Sequence, residues 1–356
     1  MSRKLFTVGP VNVEQDVLRS MAKPMITHRC KEYKQLHGGI VEKIRKALDT
    51  DMEVFLVSGS ATVLLEGAIR NGATRRTLGI TNGSFGNRLI ECARLNDKEV
   101  EAINVPWGRP MQPKHIEGRV GRGVEAVHWV SNESSTGVLS DSVALAEEVR
   151  RQKPDALTIV DAVTSAFAVD LEIGRMDPDA LVFGTQKALA LPPGLAIALV
   201  SDRMVAKASK VPARGFYTDF LKLKKNADED YALTTPPVSL MYALDFQLDR
   251  ILAEGMPARY RRHDEMAKAV EKWADRRMSG LFPEKGFRSK TIGVINRGKL
   301  DFEPFHTALK AKGYEISGGY GDVKETTFRI GHMGDATVRG VKDLLDAMDG
   351  ILEGMK

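Results

Sequence analysis

The sequence contains very little cysteine and has no long apolar run. Cys30 and Cys92 are its only cysteines, too few for a disulfide framework, and they lack the Cys-x-x-Cys spacing of zinc and redox sites. No stretch approaches the roughly 18 consecutive apolar residues that a membrane span needs. The chain reaches Gly9 and Pro10 before any apolar segment, unlike a secretory signal. These absences predict a cytoplasmic protein with no metal and no membrane partner.

The sequence also lacks a large excess of positive or negative charge, and this argues against nucleic acid as a partner. The 356 residues include 52 basic and 47 acidic side chains, a net charge of +5. The densest basic clusters, residues 150–153 and 222–225, are short enough to be solvated surface. Internal repeats and low-complexity segments are absent from the sequence, which argues against a solenoid or array. The length predicts about two globular domains.

Short β-rich runs alternate with helical stretches between residues 53 and 200. This alternation predicts an α/β fold with a mostly parallel central sheet flanked by helices. After Pro236 and Pro237 the pattern changes to long helical stretches, followed by a smaller α+β segment. We predict an N-terminal arm over residues 1–12, a large domain over 13–253 and a small C-terminal domain over 254–356. The predicted strands of the large domain are 53–57, 76–81, 99–105, 124–131, 156–161, 180–183 and 195–200, and its helices include 62–70 and 87–96.

Two predicted strands deliver reactive side chains to one edge of the sheet. Asp161 ends one buried-looking run, and Gln186 and Lys187 follow another. Open α/β folds place ligands at this carboxyl edge. For an arbitrary pair, a structural ion pair between Asp161 and Lys187 is the simpler interpretation. The small, apolar run 188–194 would desolvate the lysine amine and lower its pKa, which favours a lysine able to form a Schiff base.

A third feature is the small-residue segment 58–62, which separates a predicted strand from a helix beginning near Thr62. Its backbone N–H groups could cradle a phosphate, although serine and threonine before a helix often serve only as caps. A phosphate cradle, an acid and a desolvated lysine at one sheet edge are together what pyridoxal phosphate needs. The acid would keep the pyridine nitrogen protonated, so that the ring accepts electrons when a Cα bond breaks.

At these positions the sequence resembles the class V aminotransferases of pyridoxal-phosphate fold type I. This group includes alanine:glyoxylate, serine:pyruvate and phosphoserine aminotransferases. The resemblance covers nearly the whole chain. Its most specific motifs are residues 132–138, residues 160–165, residues 184–187 with 192–194, and residues 328–331.

The resemblance implies a role for each matching residue toward pyridoxal 5'-phosphate. Lys187 would form the Schiff base, and Asp161 would pair with the pyridine nitrogen. Phe85 would stack on the ring where many relatives have Trp, although a core aromatic is the alternative. The phosphate would be held by Ser60, Ala61, Thr62 and Gln186, and Ser134 would lie beside the ring. Tyr231 and Thr234 would complete the phosphate site of a partner subunit, which implies a homodimer with shared active sites.

Substrate contacts are also implied. Arg329 would bind the α-carboxylate, because its planar fork can hold both oxygens, although an isolated strand arginine usually faces solvent. His28 and Arg29 resemble a pair that binds the phosphate group in phosphoserine aminotransferases. The same pair occurs in relatives that handle small uncharged side chains. His332, close to Arg329, is a further cation of ambiguous role.

The expected function is transfer of the amino group of a small L-amino acid to a 2-oxo acid, by a ping-pong mechanism through pyridoxamine phosphate. Phosphoserine with 2-oxoglutarate is slightly preferred over alanine or serine with glyoxylate or pyruvate. A cysteine desulfurase would need a late cysteine, and none follows Cys92. A dinucleotide-binding oxidoreductase would need a Gly-x-Gly-x-x-Gly turn between the first strand and its helix, and the sequence has none there. A non-catalytic basic binding protein of the same fold would explain only the isoelectric point near 9.0.

Overall fold

The structure is a computed structural model that describes residues 3–355. Its helices are α1 (Gln15–Ser20), α2 (Lys31–Leu48), α3 (Ala61–Gly72), α4 (Ser84–Leu95), α5 (Ser142–Gln152), α6 (Ile173–Met176), α7 (Asp202–Ala208), α8 (Phe220–Ala227), α9 (Val238–Glu254), α10 (Met256–Arg277), α11 (Phe302–Ala311) and α12 (Val338–Gly354). Its strands are β1 (Lys4–Phe6), β2 (Glu53–Ser58), β3 (Arg76–Thr81), β4 (Glu99–Asn104), β5 (Ala126–Val130), β6 (Asn132–Glu133), β7 (Val138–Leu139), β8 (Leu157–Asp161), β9 (Ala180–Gly184), β10 (Leu195–Val200), β11 (Ile292–Asn296), β12 (Tyr314–Gly318) and β13 (Thr327–Gly331).

A seven-stranded sheet forms the centre of the molecule, in the order β2-β10-β9-β8-β5-β3-β4. Strand β10 runs antiparallel to both of its neighbours, and the other strands pair in parallel. The predicted α/β fold with a mostly parallel central sheet is therefore confirmed. Because the parallel strands start at one edge and end at the other, Asp161 and the residues after Gly184 reach the same edge.

Helices cover both faces of this sheet, which is why its strands are almost continuously apolar. In β2, Val54 and Leu56 face a core that includes α2 and α9. Phe55 and Val57 face the opposite core, which includes α3, α7 and α8. The alternation follows from the two-residue period of a strand. Both cores are closed to water, so groups at the sheet edge have low-dielectric surroundings.

A second sheet has four strands in the order β1-β12-β13-β11. Strand β1 pairs in parallel with β12, so the N-terminal segment joins the sheet built by the last third of the chain. Helix α12 packs onto this sheet with a stripe of buried side chains, Val341, Leu344, Leu345, Met348 and Ile351. Their three- and four-residue spacing is that of one helix face. Residues 4–6 are thereby tied to the C-terminal part of the chain.

Helices α9 and α10 are separated by a break in the helical conformation at Gly255, whose positive φ of +79° favours glycine. The predicted boundary at residue 253 lies beside this break, and the division into an arm, a large domain and a small domain stays a prediction. Within residues 3–355, no helix combines the length and the apolar character needed to cross a membrane.

Candidate active site

A cavity of about 280 Å³ lies at the carboxyl edge of the central sheet. It is bordered by the ends of β5 and β8 and by the loop after β9. Most residues predicted to bind the cofactor line it, and their roles stay predictions. They are Ser60, Ala61, Thr62, Phe85, Ser134, Asp161, Gln186 and Lys187.

The Lys187 amine is buried at this cavity, and its Nζ donates a hydrogen bond to the carbonyl oxygen of Val8. Burial lowers the pKa of Lys187 to about 8, while the charge of Asp161 opposes the shift and that of Arg329 adds to it. A Cβ at Gly9 would lie 2.7 Å from Lys187 Cδ, and Gly9 has a φ of +110°. Glycine therefore lets the N-terminal arm pass directly over the lysine. The lowered pKa increases the fraction of the amine that is in its neutral, nucleophilic form near neutral pH.

Asp161 is the last residue of β8, and one of its carboxylate oxygens accepts a hydrogen bond of 2.9 Å from the backbone N–H of Val163. Burial, aided by the charge of Glu133, raises the pKa of Asp161 to about 7 against the opposing effects of the Val163 hydrogen bond and the charge of Lys187. A protonated pyridine nitrogen beside Asp161 would favour the carboxylate form. The site is thus electrostatically suited to a cationic ring nitrogen.

The start of α3 offers unused donors to a phosphate group. Ser60 caps this helix with extended backbone, and its side chain makes no capping hydrogen bond. The backbone N–H groups of Ala61 and Thr62 have no acceptor within residues 3–355. Together with the hydroxyls of Ser60 and Thr62 and the amide of Gln186, these groups form a donor set suited to a phosphate dianion. The residues present therefore fit pyridoxal phosphate at its ring nitrogen, its aldehyde and its phosphate ends.

Phe85 forms an aromatic wall of the cavity from the first turn of α4. The helix predicted over residues 87–96 begins at Ser84 instead, so Phe85 is held on a helix rather than on a loop. The ring of Phe85 stacks on that of Tyr320, with centroids 5.6 Å apart and planes at 11°. The guanidinium of Arg88 lies 4.8 Å from the Phe85 centroid, and its Nη2 donates to the Tyr320 hydroxyl at 3.1 Å.

Arg329 lies on β13 beside the cavity and is only 8% exposed. Its Nε donates to the carbonyl of Gly318 at 2.9 Å, and its Nη1 donates to the carbonyl of Ser134 at 3.3 Å. Burial lowers the pKa of Arg329 to about 10, so it stays charged at neutral pH. No carboxylate of the described chain lies within 4.0 Å of it. A buried cation without a counterion favours an anionic ligand.

The structure places His332 away from the cavity lining. Its imidazole is completely buried, and neither ring nitrogen has a hydrogen-bond partner in the described structure. Burial lowers the pKa of His332 to about 4, so the ring is neutral at pH 7. His332 is therefore neutral rather than a further cation, and its role toward the substrate stays a prediction.

Four other predicted residues lie outside the cavity of a single chain. His28 and Arg29 are on the loop before α2, where Arg29 is exposed and His28 meets the ring of Tyr33 edge-on, with centroids 6.5 Å apart. Tyr231 lies under the ammonium of Lys34, 5.4 Å from its ring centroid, and Thr234 follows on the same loop. None of the four belongs to the lining of the cavity, and their roles stay predictions.

Sequence reasoning gave no role to Arg88, Tyr320 or Arg259. Arg88 could have been found from its position one helical turn after Phe85, since residues three apart share a face. Arg259 is fully buried, and it donates to the carbonyl of Ala188 at 2.5 Å and to Glu254 at 2.7 Å. It thereby holds the loop that follows Lys187. Nothing in the sequence distinguishes Arg259 from the exposed arginines of the same helix.

Comparisons with known proteins agree with this geometry. Residues 17–327 match the family described as Aminotransferase class-V. The chain is 33% identical to an uncharacterized aminotransferase of Methanocaldococcus jannaschii, over 97% of this chain and 90% of that protein. It is 28% identical to the L-aspartate–glyoxylate aminotransferase of Paracoccus denitrificans, over 94% of this chain and 87% of that protein. The structure of an alanine–glyoxylate aminotransferase from Nostoc sp. superposes with a TM-score of 0.92 at 26% identity, covering 99% of this chain and 96% of that one.

The resemblance inferred from the motifs is therefore confirmed at the level of the family. With its match to the family over most of its length, the chain belongs to the class-V aminotransferases, pyridoxal-phosphate-dependent enzymes of fold type I that act on amino acids and 2-oxo acids.

Proposed function

We propose that this aminotransferase moves the amino group of a small L-amino acid to glyoxylate or pyruvate. Donor and acceptor would use one site in turn, in two half-reactions. The observation that carries the proposal is that the Lys187 amine and the Asp161 carboxylate line one cavity, while the Arg329 guanidinium donates to the carbonyl of Ser134, another residue of its lining. The names of the Paracoccus and Nostoc relatives support glyoxylate as an acceptor.

Each of these residues has a distinct task in the proposed reaction. When bound, pyridoxal phosphate supplies the electron sink and carries the amino group. Arg329 binds the α-carboxylate of the donor through its fork. Lys187 Nζ moves the proton at the donor Cα, and a pKa of about 8 suits proton transfer near neutral pH. Asp161 holds the proton on the pyridine nitrogen.

The proposed enzyme is a homodimer with shared active sites. Tyr231 and Thr234 lie outside the cavity of their own chain, as residues that complete the phosphate site of a partner would. Sedimentation equilibrium should give the mass of two chains, and a monomer that is fully active would contradict shared sites.

The absorbance spectrum of the purified protein tests the proposed function. A visible band of bound pyridoxal phosphate should disappear on addition of L-alanine or L-serine and return on addition of glyoxylate or pyruvate. L-Phosphoserine with 2-oxoglutarate is measured in parallel, because His28 and Arg29 resemble the pair that binds the phosphate group in phosphoserine aminotransferases. A protein that shows no band after addition of pyridoxal phosphate would contradict the proposal.

Substitution of Arg29 separates the two substrate classes. If Arg29 binds the phosphate group of phosphoserine, Arg29→Ala should raise the KM for phosphoserine by about 10-fold or more, while the KM for L-alanine changes less than about twofold. Lys31→Ala, which removes another exposed cation close in sequence, is the matched control. Equal effects of Arg29→Ala on both donors would assign Arg29 a structural role.

A further inference from the structure

Glu133 is a fully buried carboxylate at the end of β6 that contacts the first turn of α4. Its Oε2 accepts hydrogen bonds from the backbone N–H groups of Phe85, at 3.0 Å, and Gly86, at 2.9 Å. Its Oε1 accepts from the backbone N–H of Ser135 at 3.0 Å and from the Ser135 hydroxyl at 2.6 Å. Both carboxylate oxygens are therefore fully used, and one side chain joins two segments that are distant in sequence.

This junction is tightly packed. The backbone N–H of Ser84 donates to the Ser135 hydroxyl at 3.0 Å, which adds a second link between the two segments. A Cβ at Gly83 would lie only 2.4 Å from Glu133 Cγ and 2.5 Å from the Ser135 hydroxyl. Glycine at position 83 is thus required for the carboxylate to reach the helix. A displacement of the Glu133 carboxylate would therefore shift both the start of α4 and the segment at Ser135.

The carboxylate replaces the cap that α4 lacks. The N-cap position of this helix is Gly83, which has no side chain, and the first turn of the helix contains no acidic residue. Unpaired N–H groups at a helix start need an acceptor, and a negative charge there is favourable. Glu133 supplies the acceptor from another element; burial raises the pKa of its carboxyl, and the hydrogen bonds that it accepts from Phe85, Gly86 and Ser135 oppose this shift by favouring the charged form. The start of α4, which carries Phe85, is consequently determined by Glu133.

Glu133 also affects a second wall of the cavity. Ser134, which lines the cavity, lies between Glu133 and Ser135, the two ends of the hydrogen-bonded turn. The carbonyl of Ser134 in turn accepts the hydrogen bond from Arg329. One buried carboxylate thus determines the spacing between the Phe85 ring and the Ser134 side of the cavity.

We propose that Glu133 is a positioning residue for the cofactor, which holds Phe85 and Ser134 at the spacing that the pyridine ring occupies. The inference rests on the proposed roles of Phe85 and Ser134 in the active site. Glutamine at position 133 would keep the volume of the side chain. Its amide nitrogen cannot accept a hydrogen bond, however. Two of the four N–H and O–H groups that donate to Glu133 would therefore face the amide NH2 group instead of an acceptor.

The test compares cofactor-free Glu133→Gln and Ser135→Ala with wild-type protein. The control is Asp179→Asn, which alters a buried carboxylate at the opposite edge of the sheet that accepts from the Thr158 N–H at 2.8 Å and the Ser201 hydroxyl at 2.7 Å. Three quantities are measured for each protein: the Kd for pyridoxal phosphate, the visible circular dichroism of the bound cofactor, and the melting temperature without cofactor.

Glu133→Gln should weaken pyridoxal phosphate binding by about 10-fold or more, since hydrogen bonds to a charged group are lost at a cavity wall. It should also change the visible circular dichroism, which reports the asymmetric surroundings of the ring. Ser135→Ala should have a smaller effect in the same direction. Asp179→Asn should lower the melting temperature by a similar amount and leave the Kd and the spectrum unchanged.

A Glu133→Gln protein with wild-type Kd and circular dichroism would overturn the inference, as would equal changes in Asp179→Asn. If Glu133→Gln does not fold, Ser135→Ala carries the test, and wild-type values for that variant overturn the inference. A wild-type protein that binds no pyridoxal phosphate would overturn the proposed function as well. Normal binding and turnover by wild type, with an unaltered Glu133→Gln, would overturn only the role of Glu133.

Discussion

Replacing Lys187 with alanine should abolish transamination and leave the fold intact. The Nζ of Lys187 is the only lysine amine among the described residues that line the cavity. Its loss removes both the nucleophile and the group that moves the Cα proton, so kcat should fall by at least about 10³-fold. Steady-state assays with each amino donor measure this loss.

The same substitution should not lower the stability of the cofactor-free protein. Burial lowers the pKa of Lys187, which means that the folded state disfavours the charged amine. Removing that amine offsets the loss of its hydrogen bond to Val8. Thermal melts of cofactor-free wild type and Lys187→Ala should therefore give a melting temperature for the variant that equals or exceeds that of wild type.

Lys153→Ala is the matched control for these assays. Lys153 is a partly buried lysine whose Nζ donates to the carbonyl of Val124 at 2.6 Å, far from the cavity. Its replacement should leave kcat unchanged. A small primary amine added to Lys187→Ala should restore part of the lost rate, because proton transfer then no longer depends on the tethered amine. Full activity of Lys187→Ala without added amine would show that another group carries out the chemistry.

Asp161→Asn should cause the second large loss of activity. An asparagine amide cannot neutralise a protonated pyridine nitrogen, so the electron sink is weakened, and kcat should fall by about 10²- to 10³-fold. Single-turnover kinetics with L-alanine would show a slower chemical step at saturating donor. A variant with unchanged kcat would show that the Asp161 carboxylate has no part in the chemistry.

The raised pKa of Asp161 also predicts how the stability of the cofactor-free protein depends on pH. Its pKa is about 7 in the folded protein and 3.8 in an unfolded chain, so between these values the folded state holds a proton that the unfolded state has released. The contribution of Asp161 to the free energy of unfolding is therefore fully present below about pH 4 and is lost as the pH rises to about 7. At one pKa unit per 1.36 kcal/mol, the loss is on the order of a few kcal/mol.

Calorimetry of Asp161→Asn checks this expectation, because asparagine does not titrate. The melting temperature of Asp161→Asn should increase relative to that of wild type as the pH rises from about 4 to 7. Above pH 7 the difference between the two should stay constant. Lys187 acts in a separate window, since its pKa is lowered from 10.5 to about 8. Parallel melting profiles for the two proteins would contradict a raised pKa at Asp161. Bound pyridoxal phosphate should reduce the difference, since a cationic ring nitrogen favours the carboxylate.

Several parts of the molecule follow from local sequence. The apolar runs that end in Asp161 and precede Lys187 predict buried strands, and two parallel strands must end at one edge of the sheet. The small residues at 58–62 predict a helix start with free donors, because such residues let the backbone approach an anion. The apolar stripe of α12 predicts a helix that packs on a sheet. In each case the signal lies within a few neighbouring residues, so tertiary contacts are not needed to read it.

Tertiary contacts alone decided the remainder. Glu133 caps a helix that begins 49 positions before it in sequence, Arg259 supports the Lys187 loop from helix α10, and β1 pairs with a strand near the other end of the chain. His332 illustrates the reverse case, since a histidine next to Arg329 looks cationic in sequence, while complete burial makes it neutral. Which groups the site contains follows from the amino-acid sequence, because the chemistry of a side chain depends on its residue type. Only the fold decided which groups are desolvated and which lie close together, because burial and distance depend on contacts between segments that are far apart in the chain.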